Sequence, residues 1–361
     1  MAKKILTVLG ARPQFIKASV VSAALARQSR LSEVLVHTGQ HFDANMSAVF
    51  FDELGMKQPE HQLDVHGGGH GDMTGRMLIE LERVMLDERP DAVLVYGDTN
   101  STLAGALTAA KLHIPVAHVE AGLRSFNMRM PEEINRVLTD RLSHWLYTPT
   151  EAATHHLIHE GMETSRIIQV GDVMLDVARF QSGRVNAEGG ALVRYGLTPE
   201  QYMLVTIHRA ENTDDPRRLG VIVDALIQAG SNHEVIWPLH PRTRNILEKL
   251  GLRDKLANSI ILVDPVGYLD MVQLEKYCEL VLTDSGGVQK EAFFHKRPCV
   301  TVRDETEWTE LVEAGWNRLA PPTSVNGIIS AIEAALTHQP APTNPYGDGS
   351  AAEKIAESLA E

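Results

Sequence analysis

Short apolar runs alternate with helix-like segments along most of the chain, and this rhythm restricts the fold more than any other feature. Strands regularly followed by helices pack as parallel βαβ units with helices covering the sheet. In the first half, residues 5–9, 33–38, 92–95, 116–119, 145–148 and 167–170 read as buried strands. Helices are expected from about residue 17, over 42–54 and 74–86, after 101, from about 131 and over 151–160. The rhythm lapses across 176–198, which holds Gly183, Gly189 and Gly190, so a hinge region is expected there. Strands resume at 202–207, 235–238, 260–263, 280–282 and 298–302, with helices from about 216, 268, 288, 325 and 351. The expected fold class is α/β with two parallel-sheet domains, one over 1–175 and one over 199–349.

Polar residues gather just after the strands: Arg12, Asp98, Glu120, His208, His240, Ser285 and Arg303. Ligands of open parallel sheets bind outside the carboxyl ends of the strands. Two such sheets facing a central cleft would bring all these positions to one ligand. The stretch 279–292, ELVLTDSGGVQKEA, ends a strand in Ser285, Gly286 and Gly287 at a helix start. Glycines there let backbone approach an anion that the helix N-terminus favours. Arg209, Arg242, Arg12 and Lys17 are candidates to neutralise a diphosphate, and Glu291 to accept ribose hydroxyls. His240, Tyr268 and Arg303 complete the candidate ligand-binding set. Asp98, Glu120, Glu132 and His208 are the acid/base candidates. Glu132, Arg136 and Asp140 share one helix face by their spacing, and Ile134, Val137, Leu138 and Leu142 are expected to supply its core side.

Composition excludes several classes. A net charge of −13 argues against general affinity for nucleic acid or an anionic membrane. No apolar run is long enough to span a membrane, and no signal peptide is evident. Cys278 and Cys299 form neither a metal spacing nor a disulfide framework, so the expected compartment is the cytoplasm. The glycine-rich segment 66–72 carries His66, His70 and Asp72 without a further ligand cluster, and is expected to be a flexible or ligand-closing loop rather than a metal site. No Walker A, nucleophile elbow or zinc motif is present.

At these same residues the chain resembles the non-hydrolysing UDP-N-acetylglucosamine 2-epimerases. The matching segments are GARPQFIKA (10–18), HTGQHFD (37–43), YGDTNST (96–102), HVEAGLRS (118–125), MPEEINR (130–136), TIHRAEN (206–212), TDSGGVQKEA (283–292) and VRDETE (302–307). The resemblance implies two Rossmann-like domains of the GT-B type, with the C-terminal helix, residues 350–361, returning to pack on the first domain. It implies a homodimer that needs no cofactor or metal. The implied chemistry removes the C2 proton as UDP leaves C1, giving a 2-acetamidoglucal, then returns UDP with C2 protonated on the other face. Asp98, Glu120, Glu132 and His208 fall on the family's catalytic positions. Arg12, His208, Ser285, Gly286 and Gly287 fall on its diphosphate contacts, Glu291 on its ribose contact, and Lys17 and Arg136 on supporting positions.

The chain departs from the commoner family pattern at Ala11 and Gln14, at Ala210, at Trp308-Thr309 and in the shorter segment 126–130. These departures resemble the branch acting on UDP-2,3-diacetamido-2,3-dideoxy-glucuronate for surface polysaccharide. Arg129 or His70 would then meet the C6 carboxylate, with Glu307 also at the sugar pocket. UDP-GlcNAc is the alternative substrate. A hydrolysing epimerase, a GT-B glycosyltransferase and a non-catalytic UDP-sugar sensor are the competing functions.

Overall fold

The computed structural model describes residues 2–40, 51 and 53–361. Most of the helix expected over 42–54, and the end of the 37–43 segment, lie outside the described residues. The chain forms two compact units, Met1–Val177 with Asn344–Glu361, and Ala178–Thr343.

The first unit holds strands β1 (Lys3–Leu9), β2 (Leu31–His37), β3 (His61–Gln62), β4 (Ala92–Tyr96), β5 (Val116–Val119), β6 (Trp145–Thr148) and β7 (Ile167–Gln169). They form a sheet of order β3-β2-β1-β4-β5-β6-β7, parallel at every recorded pairing. The second holds β8 (Tyr202–Thr206), β9 (Glu234–Pro238), β10 (Ile261–Val263), β11 (Leu280–Thr283), β12 (Cys299–Thr301) and β13 (Asn317–Leu319), in the parallel order β10-β9-β8-β11-β12-β13. Both orders reverse beside their first strand, which puts a switch point at β1/β4 and another at β8/β11. Central strands such as Ala92–Tyr96 are buried throughout because helices cover both faces. Edge strands β3 and β13 escape sequence reading, being two and three residues long and largely polar.

Two local details go beyond the sequence reading. The segment 176–198, expected as the hinge region, carries helical structure. Helix Val173–Ser182 itself runs across the unit boundary, and helix Gly190–Tyr195 follows. Ala191, Leu192 and Leu197 pack in a core cluster with Tyr202 and Leu204, while Gln273 and Lys276 bond the intervening carbonyls. Strand rhythm is lost there because the segment is helical. The helix expected over 74–86 begins at His70, where Asp72 in its first turn pairs with Arg76 at 2.7 Å.

The C-terminal helix, Ala351–Ala360, packs on helix Arg12–Arg27, and Tyr147 Oη bonds Ser358 Oγ at 3.0 Å. Asp176 Oδ1 accepts from Ala352 N at 2.9 Å, but Oδ2 is buried without a partner. Burial pushes Asp176 up to about 6. Its contribution to stability is complete below the unfolded-chain value and is lost as pH rises through the folded value. The unfolded chain ionises first between about pH 4 and 6, which costs up to about 3 kcal/mol across that window. Asp176→Asn should flatten this decline, so urea melts at pH 4.5 and 7.5 should differ less than in the wild type. An unchanged difference would count against Asp176 as its source.

Candidate active site

The first unit gathers its candidate groups where β4 and β5 end. Glu120 follows β5 with φ of 71°, a left-handed backbone costing a non-glycine residue about 1–3 kcal/mol. This aims its carboxylate, 7% exposed, at Lys17 Nζ, which donates to Oε2. Gly97 makes room for the pair: a Cβ there would lie 3.3 Å from Glu120 Oε2 and 4.0 Å from Lys17 Nζ. Beside it, Asp98 Oδ2 accepts from Arg136 Nη2 at 2.5 Å, and Asp98 O accepts from Asn135 Nδ2 at 2.8 Å. Each carboxylate therefore has its own cation. The turn thus brings together Asp98, Glu120, Lys17 and Arg136.

A buried polar network missed in the sequence braces this turn. His118 places Nε2 2.7 Å from Gly97 O and Nδ1 2.7 Å from Asp140 Oδ1. Asp140 Oδ2 pairs with Arg124, which also pairs with Glu160. Helix Pro131–Leu142 turns this polar side inward: Glu133, Asn135, Thr139 and Asp140 are buried, whereas Ile134 and Leu138 are 40% and 44% exposed. Of the apolar residues expected on its core side, Leu142 packs against the core cluster, whereas Ile134 and Leu138 are corrected to the surface. Of the adjacent glutamates, Glu133 serves the structure. Burial raises it, but Ser125 N–H, Arg136, Phe126 N–H and the Ser125 hydroxyl together hold it below the usual carboxylate range. Glu132 is exposed. Arg12 begins its helix, half-buried. His70, whose Nδ1 lies 3.2 Å from Asn100 Nδ2, and Arg129, in the loop before helix Pro131–Leu142, are exposed.

The turn after β1 is closed to anions by its own side chain. Gln14 Oε1 accepts from Gly10 N (2.8 Å) and Ala11 N (3.0 Å), while its Nε2 donates to Tyr96 O and Thr102 Oγ1. Among the described residues no three His, Cys, Asp or Glu side chains converge as a metal requires.

In the second unit, helix Gly286–Phe294 starts directly after β11 and presents its first-turn N–H groups beyond the strand. Ser285 is its N-cap, with its own N–H tied to Thr283 Oγ1 at 2.9 Å, and Glu291 lies one turn in. Buried Asp284, also missed in the sequence, shapes the facing loop by accepting from the N–H groups of His208 and Arg209 and from Asn212 Nδ2. His208 is left 47% exposed, its ring centroid 6.5 Å from that of His240. A cavity of about 260 Å³ lies here, lined by His208, His240, Pro265, Val266, Met271 and Val288 among others. It is mostly apolar and suits a nucleobase. Tyr268 begins the helix beyond it. His240 also caps helix Pro241–Lys249, and Arg242 is drawn to Asp214 at 2.6 Å. Arg303 is 5% exposed and pairs with Glu307 (2.9 Å) and Glu211 (3.2 Å). Burial opposes ionisation of Glu307, yet Arg303 keeps it below the ordinary range.

Two Rossmann-like units, one with paired carboxylates and cations and one with a helix start beside an apolar cavity, have the organisation of a nucleotide-sugar enzyme. The UDP-N-acetylglucosamine 2-epimerase family model matches residues 23–360, and the chain belongs to that family, whose members are isomerases. It is 56% identical over 99% of both chains to the UDP-2,3-diacetamido-2,3-dideoxy-D-glucuronate 2-epimerase of Pseudomonas aeruginosa. The crystal structure of Methanocaldococcus jannaschii UDP-GlcNAc 2-epimerase in complex with UDP-GlcNAc and UDP is similar at 44% identity, TM-score 0.84 and 99% coverage of each chain. That of the Neisseria meningitidis enzyme bound to UDP-GlcNAc is similar at 29% identity and TM-score 0.82, with 99% coverage of each chain.

Proposed function

We propose that this chain epimerises C2 of a UDP-2-acetamido sugar without releasing the free sugar, and that UDP-2,3-diacetamido-2,3-dideoxy-glucuronate is its substrate. The 56% identity to the Pseudomonas aeruginosa enzyme is the observation that carries the substrate assignment. UDP-GlcNAc is the second reading, favoured by relatives of that activity at 43–44% identity.

In the elimination, the C2–H bond breaks, a C1–C2 double bond forms and the C1–O bond breaks as UDP departs. Re-addition forms C1–O again and delivers a proton to the opposite face of C2. Two acid/base groups are therefore required. Asp98, Glu120 and Glu132 supply the carboxylates, and Lys17 and Arg136 hold Glu120 and Asp98 in place. His208, Arg12, Ser285, Gly286 and Gly287 bind the diphosphate, with Glu291 on the ribose and the apolar cavity taking the uracil. Arg129 and His70 are the basic groups offered to a C6 carboxylate. Among the described residues no helix is long and apolar enough to cross a membrane. The free, buried Cys278 and Cys299 fit work in the reducing cytoplasm, on precursors of surface polysaccharide. A homodimer is part of this reading, and Phe126, Met128, Met130, Ile134 and Leu138 are the exposed apolar side chains it could cover.

Proton NMR in deuterated water tests the reading. With the diacetamido-uronate, deuterium should enter C2 and the manno product should remain joined to UDP. Faster turnover of UDP-GlcNAc would transfer the assignment to the second reading. No exchange with either sugar would refute the epimerase.

A further inference from the structure

We propose that Lys290, seated on the ring of Trp308, is a further diphosphate-binding cation of the glycine turn, with Trp308 as its positioning residue. The proposal rests on the UDP-sugar reading above and adds two residues to it.

Lys290 stands four residues after Gly286 on helix Gly286–Phe294, so the two share a face. Helical side chains lean toward the N-terminus, which carries a lysine at this position back along the helix to the glycine pair. Lys290 is only 7% exposed, unusual for a lysine, and its Nζ lies 4.4 Å from the Trp308 ring centroid, in cation–π range. Trp308 is fixed in turn. Its Nε1–H donates to Gly286 O at 2.8 Å, its backbone N–H donates to Thr306 Oγ1, and Thr306 bonds the buried Gln289 of the same helix. A Cβ on Gly286 would lie 3.8 Å from Trp308 Nε1 and 3.7 Å from both Arg209 Nη2 and Glu307 Oε2. The indole is therefore a wall of the turn itself, and the Lys290 ammonium lies over its ring.

The chemistry calls for such a charge. A helix N-terminus offers roughly half a unit of positive charge, less than a nucleoside diphosphate needs. Arg209, another cation at the turn, lies 3.7 Å from Glu307 and is partly offset by it. When the C1–O bond breaks, the leaving UDP gains negative charge, and a preorganised, poorly solvated cation acts most strongly on that developing charge. A lysine stem merely packing on tryptophan would serve fold stability alone.

Calorimetric titration of the full chain with UDP, UMP and uridine, at two salt concentrations, separates these roles. Lys290→Met should weaken UDP about tenfold and UMP less. Uridine binding should be unchanged, and the salt dependence of UDP binding shallower. Trp308→Phe keeps the ring and removes the N–H, so it should show the same ligand order with a smaller loss. It also serves if the lysine variant does not fold. Wild-type affinity for UDP in Lys290→Met, or an equal loss for UDP and uridine in either variant, would overturn the proposal. Failure of the wild type to bind UDP would overturn the UDP-sugar reading and this inference together, whereas loss confined to the variants bears on Lys290 and Trp308 alone.

Discussion

Asp98→Asn should lower kcat by about 10²–10⁴-fold while UDP binding stays near the wild-type value. The change preserves shape and removes only the carboxylate's capacity to carry a proton. The introduced amide oxygen would still accept from Arg136, and Arg136 retains Glu133 at 2.9 Å, so the turn after β4 should keep its geometry. Most of the UDP-binding candidates lie on the second unit, untouched by this change. Timed assays of C2 deuterium exchange and calorimetry with UDP read the two quantities separately. A variant that exchanges deuterium at the wild-type rate would remove Asp98 from the proton-transfer chemistry. A variant that loses UDP affinity in proportion would show instead that Asp98 acts through binding.

Asp140→Ala should have the largest effect on stability. Its carboxylate is 1% exposed and simultaneously serves His118, Arg124 and Gly122 N–H. Removing it strips one side of the Arg124 guanidinium, itself 1% exposed, while Glu160 still pairs on the other. Breaking a buried pair from one side typically costs about 3–5 kcal/mol because the surviving charge stays desolvated. His118 would lose the contact that orients it toward Gly97 O, so activity should fall with stability. Differential scanning calorimetry should find the melting temperature several degrees lower. Melting at the wild-type temperature would mean the network is dispensable.

Much of the fold is legible in the sequence because buried parallel strands write themselves as apolar runs. Residues 116–119 and 145–148 can be bounded without error, since both runs end abruptly in polar residues. Edge strands His61–Gln62 and Asn317–Leu319 leave no such trace, because few of their side chains enter a core. The glycine turn and the carboxylates are legible by their placement after strands. His118, Asp140 and Asp284 are not, because their importance comes from partners many residues away. Helix Pro131–Leu142 misleads for a related reason. Periodicity finds its apolar stripe, but only the fold reveals that the polar side is the one turned inward.

The two sheets repeat one topology, yet Gln14 makes their first turns unlike. By lodging one amide against Gly10 N and Ala11 N, the first unit retires a cradle that the same strand order commonly offers to phosphate. In the second unit a Cβ on Gly287 would meet nothing within 4 Å, so that turn is not filled in the same way. Two copies of one architecture are thus made unlike by occupancy, since a single internal amide satisfies in the first the backbone N–H groups of its opening turn.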